Sequence, residues 1–466
     1  MFRPTLLALA LFSVINSALA EPAAPLPHSP GAPYAASGLA DRIVLTPGAD
    51  PAREMAVTFR TDTRQQASQL QLAPALDGPQ LAKAAHEVEG TSISLDNENG
   101  AALFHQVRLH DLQPGTAYVY RVKGSDGWSE WLQFHTAAEG FKPFNFIYMG
   151  DVQNDILSLA SRSIRQALQS VANPALIVHA GDLVSQREDL VHDDQWGEWN
   201  QAGGFNYAMI PQVLAAGNHE YLDGLNPDGS ETRTLGPHWS RQFALPQNGV
   251  EGVKNTTYFV DYQGVRFIVL DGTSALDMGT LDQQTRWLEQ SLKNSPARWN
   301  IVVTHQPVFT CARPEDTEPL KTAWKPLFER YAVDLVLQGH DHCYSRVSDE
   351  AGRVAAKAAR AGGKIQGPVY MVSVAGSKMY GLNDRAHQQP DRSAEETQLY
   401  QTVDVQDSRL KVRSYTAAGK LYDAFDLERD GKNRNHLREP VKNLPAERAC
   451  TQTAGPDGFA CSSRAK

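Results

Sequence analysis

The hydrophobic pattern of this chain changes once along its length, and that change limits the folds it can adopt. Between residues 41 and 136, apolar and polar residues alternate in short segments bounded by Gly, Pro and Asp, which is typical of half-buried strands. From Asn145 onward, apolar strand-like segments alternate with amphipathic helical ones. We therefore predict a multidomain β plus α/β protein, with a β-sandwich at residues 41–138 and an α/β sandwich domain at residues 143–430. The chain has 466 residues, more than one hydrophobic core usually organises.

The first twenty residues have the composition of an export signal. Arg3 precedes an apolar run at residues 6–15, and small residues follow before position 21. This pattern predicts a signal peptide at residues 1–20, and an uncleaved anchor is the alternative. Frequent prolines then predict an extended leader at residues 21–40, and the polar residues 431–466 are interpreted as a C-terminal tail. We expect an exported protein, either periplasmic or secreted.

The overall charge excludes some classes of partner. The formal net charge is -9, and no stripe of Lys and Arg is present, so nucleic acid is not expected as a standing partner. No later stretch reaches the roughly 20 apolar residues of a membrane helix, so no transmembrane segment is predicted. The pattern leaves the oligomeric state open.

Five polar motifs each follow a predicted strand. Their candidate metal ligands are Asp151, Asp182, Asn218, His305, His340 and His342. Ligands bind outside the carboxyl ends of strands in α/β sheets, so these loops are expected to converge. Carboxylate, amide and imidazole groups together suit ions of the Mn, Fe and Zn group, and two such ions can clamp a phosphate. Glycines precede most of these residues, which we interpret as a need for permissive backbone angles.

The four cysteines are an even number in a chain that is expected to be exported, so pairing is favoured over free buried thiols. Cys311 lies six positions after His305, and Cys343 directly follows His342. Since both loops should meet at the metals, we predict a disulfide between these two cysteines. A second disulfide, between Cys450 and Cys461, would close a small loop in the tail, and it is the only feature expected to pin that segment.

The five motifs resemble those of the calcineurin-like metallophosphoesterase superfamily. The sandwich in front makes the chain similar to two-domain purple acid phosphatases with an N-terminal fibronectin type III-like (immunoglobulin-like) domain, and the turn before Tyr118 resembles a corner of that domain. The resemblance implies that Asp182 bridges two metal ions. It assigns Asp151 and His342 to the first ion, and it assigns to the second ion Asn218, His305 and His340.

The same resemblance places His219 near the phosphate, where it would protonate the leaving oxygen or steady charge, and Glu220 is the residue expected to orient it. A hydrogen bond from His219 to a ligand is the alternative. Arg313 and Lys378 could contact phosphate or could be solvated cations. Four aromatic residues near the motifs could shape the substrate mouth, although packing is the commoner role: Trp196, Trp199, Tyr207 and Tyr221.

The sequence departs from the purple phosphatase pattern at two positions. Ser185 stands where the family supplies a tyrosinate to ferric iron, and Gln153 stands where the wider superfamily often has His. The resemblance implies two ions of the Fe, Zn and Mn class, but the serine argues against a ferric-tyrosinate pair. The amide of Gln153 or a water could complete the first site. Another tyrosine, such as Tyr221 or Tyr380, could instead reach the iron.

The residues and the resemblance together predict a metal-dependent phosphoesterase. An acid phosphatase-like phosphomonoesterase is the leading hypothesis, with a metal-bound hydroxide attacking a small phosphorylated substrate in line. A phosphodiesterase with the same site is one alternative. A surface binding protein with a vestigial phosphatase domain is another, but a vestigial site would have lost ligands and none of the six is missing.

Overall fold

The computed structural model describes residues 34–348, 367–385, 390–431 and 435–449, with 454, 455 and 458, except for 186–188, 190, 227 and 230. Several predictions fall outside the described residues, namely the signal peptide, most of the leader, an exposed insertion expected at residues 350–363, and the Cys450–Cys461 pair. Across the described part of the chain, no helix combines the length and apolar character needed to cross a membrane.

The N-terminal domain is a β-sandwich, as predicted. One sheet has the strand order β1-β2-β6-β5, and the other has the order β4-β3-β7-β8, with β9 paired to β7. The strands are β1 (Asp41–Pro47), β2 (Met55–Thr61), β3 (Gln69–Pro74), β4 (His86–Glu89), β5 (Thr91–Asn97), β6 (Gly100–Leu109), β7 (Ala117–Gly124), β8 (Gly127–Trp128) and β9 (Leu132–His135). A single-turn helix, α1 (Leu81–Ala84), precedes β4.

Apolar residues from both sheets fill the centre of the sandwich, and they include Val57, Leu72 and Tyr120. The corner predicted before Tyr118 is present. The hydroxyl of Tyr118 accepts a hydrogen bond from the main-chain N–H of Gln113 at 2.9 Å. The pattern did not predict β4 and β5. Both strands are mostly exposed and carry few apolar residues, so their pairing with inner strands, and not their own periodicity, defines them.

The second domain consists of two packed seven-stranded sheets. The first has the order β12-β11-β10-β22-β23-β24-β25, and the second has the order β15-β16-β17-β18-β20-β19-β21. The bounds are β10 (Phe144–Met149), β11 (Leu176–His179), β12 (Gln212–Leu214), β13 (Tyr221–Leu225), β14 (Glu231–Leu235), β15 (Tyr258–Tyr262), β16 (Val265–Val269), β17 (Trp299–Val303), β18 (Leu335–Gln338), β19 (Tyr344–Ser348), β20 (Val369–Val372), β21 (Arg392–Ala394), β22 (Leu399–Gln406), β23 (Arg409–Thr416), β24 (Leu421–Arg429) and β25 (Asn435–Arg438). Strands β13 and β14 form a separate hairpin.

Most helices of this domain connect neighbouring parallel strands, and one follows the β13–β14 hairpin. They are α2 (Ser161–Ser170), α3 (Asp194–Gly203), α4 (Phe205–Met209), α5 (Pro237–Gln242), α6 (Gly272–Asp277), α7 (Leu281–Lys293) and α8 (Glu318–Arg330). The first amphipathic helical segment after Asn145 was expected at residues 156–171. It begins with a π turn at Ile156–Ala160 and continues as α2. The short helices α4 to α6 lack a full apolar period, which is why the sequence did not predict them.

The two domains meet around a buried carboxylate. Asp193, the residue before α3, accepts hydrogen bonds from Arg42 at 2.6 and 2.7 Å and from Arg60 at 3.2 Å. His238 of α5 lies 2.9 Å from the same group. The negative charge of Asp193 is thus paired with the positive charges of the two arginines, and this pairing offsets the cost of burying them.

The C-terminal tail is more tightly held than the sequence suggested. Strand β25 pairs with β24, and the side chain of Asn435 donates to Asp334 at 2.6 Å. Further along, the Glu447 side chain accepts from the main chain of Ser393 at 2.7 Å. The idea that only cysteines pin this segment is therefore wrong, because a polar strand can join a sheet edge through main-chain hydrogen bonds alone.

Candidate metal centre

The six candidate ligands converge at one edge of the paired sheets. Their loops follow the carboxyl ends of strands β10, β11, β12, β17 and β18, three of which belong to one sheet and two to the other. A buried tyrosine joins the two sheets beneath them. The hydroxyl of Tyr148 in β10 accepts from the main-chain N–H of Gln338 at 2.9 Å and donates to its carbonyl. This bond holds the first and fifth loops at a fixed separation.

A first group of donor atoms comes from Asp151, Asp182 and His342, whose ligand atoms lie within 4.8 Å of one another. Nε2 of His342 is 3.8 Å from Oδ1 of Asp151. The other ring nitrogen of His342 is 3.0 Å from the carbonyl of Lys378. A carbonyl can only accept, so Nδ1 carries the proton and Nε2 turns its lone pair towards the carboxylates.

A second group comes from Asp182, His305 and His340, again within 4.8 Å. Nδ1 of His305 donates to the carbonyl of Ala180 at 2.7 Å, so Nε2 faces the group. Around that Nε2 lie Oδ2 of Asp182 at 3.1 Å, Nδ1 of His340 at 3.1 Å and Oδ1 of Asn218 at 3.2 Å. The structure thus brings all six predicted residues together, and Asp182 belongs to both groups.

The donor set fits metal ions better than it fits hydrogen bonds. Three polar atoms surround Nε2 of His305, which carries at most one proton and cannot form a hydrogen bond to all of them. Asp151 and Asp182 are almost fully buried, and buried carboxylates are usually paired with cations. A cation shared among these atoms satisfies every one of them. Carboxylate, amide and imidazole are also the donors that suit the Mn, Fe and Zn group.

The backbone at this site is strained. Asp151, Asp182, His340 and His342 all have positive φ, between 47° and 75°. Side chains other than glycine seldom adopt this conformation, which costs on the order of 1–3 kcal/mol each. Such strain is typical of sites where the surrounding fold fixes the geometry of functional groups.

The interpretation that glycines supply permissive angles to these loops is wrong for most of them. Among the glycines that precede the ligands, Gly181 has a positive φ of 87°, whereas Gly217 and Gly339 do not. A Cβ on Gly217 would lie 2.2 Å from Oδ1 of Asp182, and one on Gly339 would lie 2.3 Å from Oδ2 of Asp151. These two glycines are required because the ligand carboxylates pack directly against their backbone.

The electrostatics of the cluster separate its two carboxylates. Burial raises the pKa of Asp151 well above its ordinary value. Burial would also raise the pKa of Asp182, but the nearby imidazoles of His305 and His219 outweigh it and hold that pKa well below its usual range. The reciprocal effect appears at His305: burial lowers its pKa, but Asp182 raises it to about 9. Burial, followed by Lys378, lowers the pKa of His342 to about 3.

His219 lies beside the cluster and not within it. Its main-chain N–H donates to Oδ1 of Asp182 at 2.9 Å, and its ring Nε2 is 3.9 Å from Oδ2 of the same residue. Ring Nδ1 donates to the carbonyl of Ser185. The carbonyl of Ser185 therefore helps to orient the ring, and a part for Glu220 in orienting it stays a prediction.

Glu220 has a different part in the site. Its buried carboxylate accepts from the main-chain N–H groups of Gly217 at 2.6 Å, Asp182 at 2.9 Å and Leu183 at 2.8 Å. These bonds tie the loop after β12 to the loop after β11. Burial, and then the nearby Asp182, raises the pKa of Glu220 to about 7. The sequence did not reveal this role because the three partners are backbone groups.

The predicted disulfide between Cys311 and Cys343 is present, with Cα atoms 6.3 Å apart. Asp341 reinforces the same junction, since its buried Oδ2 accepts from the main-chain N–H groups of Cys311 at 2.6 Å and Ala312 at 2.9 Å. Arg313 pairs with the other oxygen of Asp341 and donates to the carbonyl of His340 at 3.1 Å. The loops carrying His305 and His342 are thus joined by a disulfide and an ion pair next to the candidate ligands.

Two cations stand over an aromatic ring at the rim of the site. The ring of Tyr380 packs against that of His342 with centroids 4.8 Å apart. The ammonium of Lys378 is 5.4 Å from the Tyr380 ring, and the guanidinium of Arg313 is 5.9 Å from it.

Four aromatic residues that were considered for the substrate mouth are instead buried in the core. The packing alternative therefore holds for Trp196, Trp199, Tyr207 and Tyr221.

Comparison with known families agrees with this geometry. Residues 144–344 match the calcineurin-like phosphoesterase family, and residues 40–136 match the purple acid phosphatase N-terminal domain. The chain carries a calcineurin-like phosphoesterase domain behind a purple acid phosphatase N-terminal domain. The resemblance and the fold class predicted from the motifs are thereby confirmed, and all six candidate ligands lie in the phosphoesterase domain.

Individual proteins are also similar to this chain over part of their length. An uncharacterized protein of Mycobacterium tuberculosis is 28% identical over 52% of this chain and 50% of its own length. The Fe(3+)-Zn(2+) purple acid phosphatase 12 of Arabidopsis thaliana is 26% identical over 62% of this chain and 63% of its own length. The match thus spans about half to two-thirds of these relatives. The solved structure of PhoD has the same fold, with a TM-score of 0.61, 12% identity, and coverage of 91% of this chain and 95% of that one.

Proposed function

We propose that this protein is a metal-dependent phosphomonoesterase of the acid phosphatase type. The observation that carries the proposal is the pair of adjoining donor groups that share Asp182, with His219 beside them. Two ions of the Fe, Zn and Mn class in these groups would neutralise phosphate charge and supply a nucleophile from water near neutral pH. The names of relatives such as purple acid phosphatase 12 support this chemistry.

The residues around the donor groups have separate tasks in this proposal. His219, oriented through Ser185, would donate a proton to the leaving oxygen from the side of Asp182. Lys378 and Arg313 would draw the phosphorylated substrate towards the rim through their positive charge. Arg313 is already paired with Asp341, so it also holds its own loop in place.

The substrate is proposed to be a small phosphorylated molecule, hydrolysed outside the cytoplasm in the periplasm or after secretion. The charge of the chain supports a small-molecule substrate over a polyanion, because the formal net charge is -9. The export signal predicted at the N-terminus supports the location. A phosphodiesterase with the same donor groups remains the alternative that the assay below distinguishes.

Hydrolysis of 4-nitrophenyl phosphate and of bis(4-nitrophenyl) phosphate by the purified chain tests the proposal. Each assay is run as purified, after removal of metals with a chelator, and after Mn²⁺, Zn²⁺ or Fe²⁺ is restored. We expect monoester turnover that chelation abolishes and metal restores, with the diester hydrolysed at least about tenfold more slowly. Diester preference would favour the alternative. A metal-loaded protein without turnover on either compound would overturn the proposal in favour of a binding protein.

A further inference from the structure

A side chain outside the six candidate ligands reaches the first donor group. Gln153 is completely buried, and its Nε2 is 2.9 Å from Oδ2 of Asp182 and 3.0 Å from Nε2 of His342. Its main-chain N–H also donates to the carbonyl of Asp182 at 3.1 Å. Its other terminal atom, Oε1, is buried without a hydrogen-bond partner among the described residues. The side chain is therefore held at the centre, with one polar atom unsatisfied.

The distances place the Gln153 amide in the shell of metal ligands. Atoms bound about 2.1 Å from one ion lie roughly 3.0–3.4 Å from one another in octahedral or tetrahedral arrangements. In the second donor group, Nε2 of His305 is 3.1 Å from Asp182 and 3.2 Å from Asn218. The separations of the Gln153 amide from Asp182 and His342, 2.9 and 3.0 Å, lie close to the same range.

The orientation of the amide depends on whether an ion is bound. Both neighbours of Nε2 are acceptors, since Nδ1 of His342 carries the ring proton that donates to Lys378. When these two atoms give their lone pairs to an ion, the amide N–H groups lose their acceptors. Rotation of the terminal amide by 180° exchanges nitrogen and oxygen without moving the rest of the side chain. The unsatisfied oxygen then takes the position that faces the ion.

We propose that the side-chain oxygen of Gln153 is a ligand of the first metal ion, together with Asp151, Asp182 and His342. The inference rests on the proposed metal centre and extends it by one residue. A neutral amide adds no negative charge to the two carboxylates, so the first site should accept a divalent ion. Gln153 would thus set the charge preference of this site.

Manganese binding by Gln153→Leu tests this ligand. Mn²⁺ is titrated into metal-free protein, and free Mn²⁺ is followed by electron paramagnetic resonance, which does not depend on activity. We expect the wild-type chain to bind two ions. In the variant, the affinity for one of them should fall by at least about tenfold, as it does when residues that support a metal site are replaced. Gln306→Leu is the matched control. Gln306 is also buried, and its Oε1 has no hydrogen-bond partner within the part of the chain that the structure describes. Its Nε2 donates to Thr273, so its removal should leave both affinities unchanged.

A crystal structure of the wild-type chain with Mn²⁺ decides the orientation directly, even if the variant fails to fold. We expect Oε1 of Gln153 within about 2.0–2.4 Å of the ion. Wild-type affinities in Gln153→Leu, or an amide nitrogen still directed at Asp182 in the metal-loaded crystal, would overturn the inference and leave the proposed function standing. Absence of any Mn²⁺, Zn²⁺ or Fe²⁺ binding by the wild-type chain would overturn both.

Discussion

The main-chain N–H of His219 donates to Oδ1 of Asp182 at 2.9 Å, and this bond assigns different tasks to the two oxygens of one carboxylate. Oδ1 is held by the loop after β12, and the backbone of Gly217 packs against it. Oδ2 is left between the two donor groups, 2.9 Å from Gln153 and 3.1 Å from His305. A single oxygen of Asp182 therefore stands where two ions would share a ligand.

Asp182→Asn should lower both metal content and turnover. The variant removes the negative charge that offsets repulsion between two neighbouring cations. We expect fewer than two ions per chain and a loss of phosphatase turnover greater than about a hundredfold. This loss exceeds the usual effect of replacing a residue that only supports the metal ligands. Elemental analysis and a monoester assay on the same sample measure both. Wild-type turnover with two ions would falsify the bridging role.

Asp341→Asn is the paired comparison, because Asp341 points away from the donor groups. Its oxygens instead accept from Cys311, Ala312 and Arg313. We expect both ions to stay bound and turnover to fall far less than in Asp182→Asn. The melting temperature should fall, since loss of a buried charged hydrogen bond costs about 1.5–3 kcal/mol. An equal collapse of metal content in the two variants would contradict this division of roles.

Glu220→Gln should loosen the metal centre without removing a ligand. Both carboxylate oxygens of Glu220 accept hydrogen bonds, and their donors are the N–H groups of Asp182, Leu183 and Gly217. A glutamine amide has only one oxygen that can accept. At least one buried N–H loses its partner, which costs about 1–3 kcal/mol. We expect a lower melting temperature and weaker retention of metal during dialysis. A variant as stable as the wild-type chain would show that these bonds are dispensable.

Loss of the Cys311–Cys343 disulfide should destabilise the phosphoesterase domain. The bond closes a loop with a sequence separation of 32, for which chain entropy predicts about 3–4 kcal/mol of stability. A variant with both cysteines changed to Ser should therefore unfold at lower urea concentration. Changing Cys450 and Cys461 to Ser in the same way should leave the metal centre intact. Peptide mapping without reductant gives an independent check, and an alkylated Cys311 would contradict the pairing.

The metal-loaded protein should be colourless. The hydroxyl of Ser185 is 3.1 Å from Oε1 of Gln195, so it lies in a hydrogen bond outside the donor groups. Tyr221 donates to Asp271, which removes it as a source of tyrosinate. A visible spectrum and iron content from one sample test the expectation. A strong green-to-yellow absorption band that scales with iron would contradict it and point to Tyr380, whose ring touches that of His342.

The sandwich domain should lose stability in acid through His105. This ring lies 2.8 Å from Thr61 and 2.9 Å from Ser92, and burial lowers its pKa from 6.5 to about 4. The folded state therefore favours the neutral ring. Stability is present above pH 6.5 and is lost as the pH falls towards 4, because the unfolded chain takes up the proton first. The loss between pH 7 and pH 5 should be about 2 kcal/mol.

Urea unfolding of His105→Gln at both pH values measures this contribution. The variant should lose about 2 kcal/mol less than the wild-type chain between pH 7 and pH 5. His110→Gln is the control for the loss of an exposed histidine ring in the same domain. An unaltered pH dependence in His105→Gln would rule out His105 as the source.

Local residue patterns were enough to predict the β plus α/β organisation, the five strand-terminal motifs and the six candidate ligands. These features are local: periodicity defines each strand, and the residue after a strand must lie at the edge of the sheet. The Cys311–Cys343 pair followed from the same logic, since each cysteine is a few positions from a ligand. Whether those ligands hold metal is a proposal that the measurements above test.

The way in which each motif is held depends on contacts between distant parts of the chain. Positive φ at Asp151 and Asp182, and the backbone bonds of Glu220, arise where loops from different strands press against one another. No local pattern encodes the partners in such contacts, because they are far apart in the chain. Gln153 is the clearest case. From the sequence its amide could point towards Asp182 or elsewhere, and contact between the loops after β10 and β11 placed it 2.9 Å from that carboxylate.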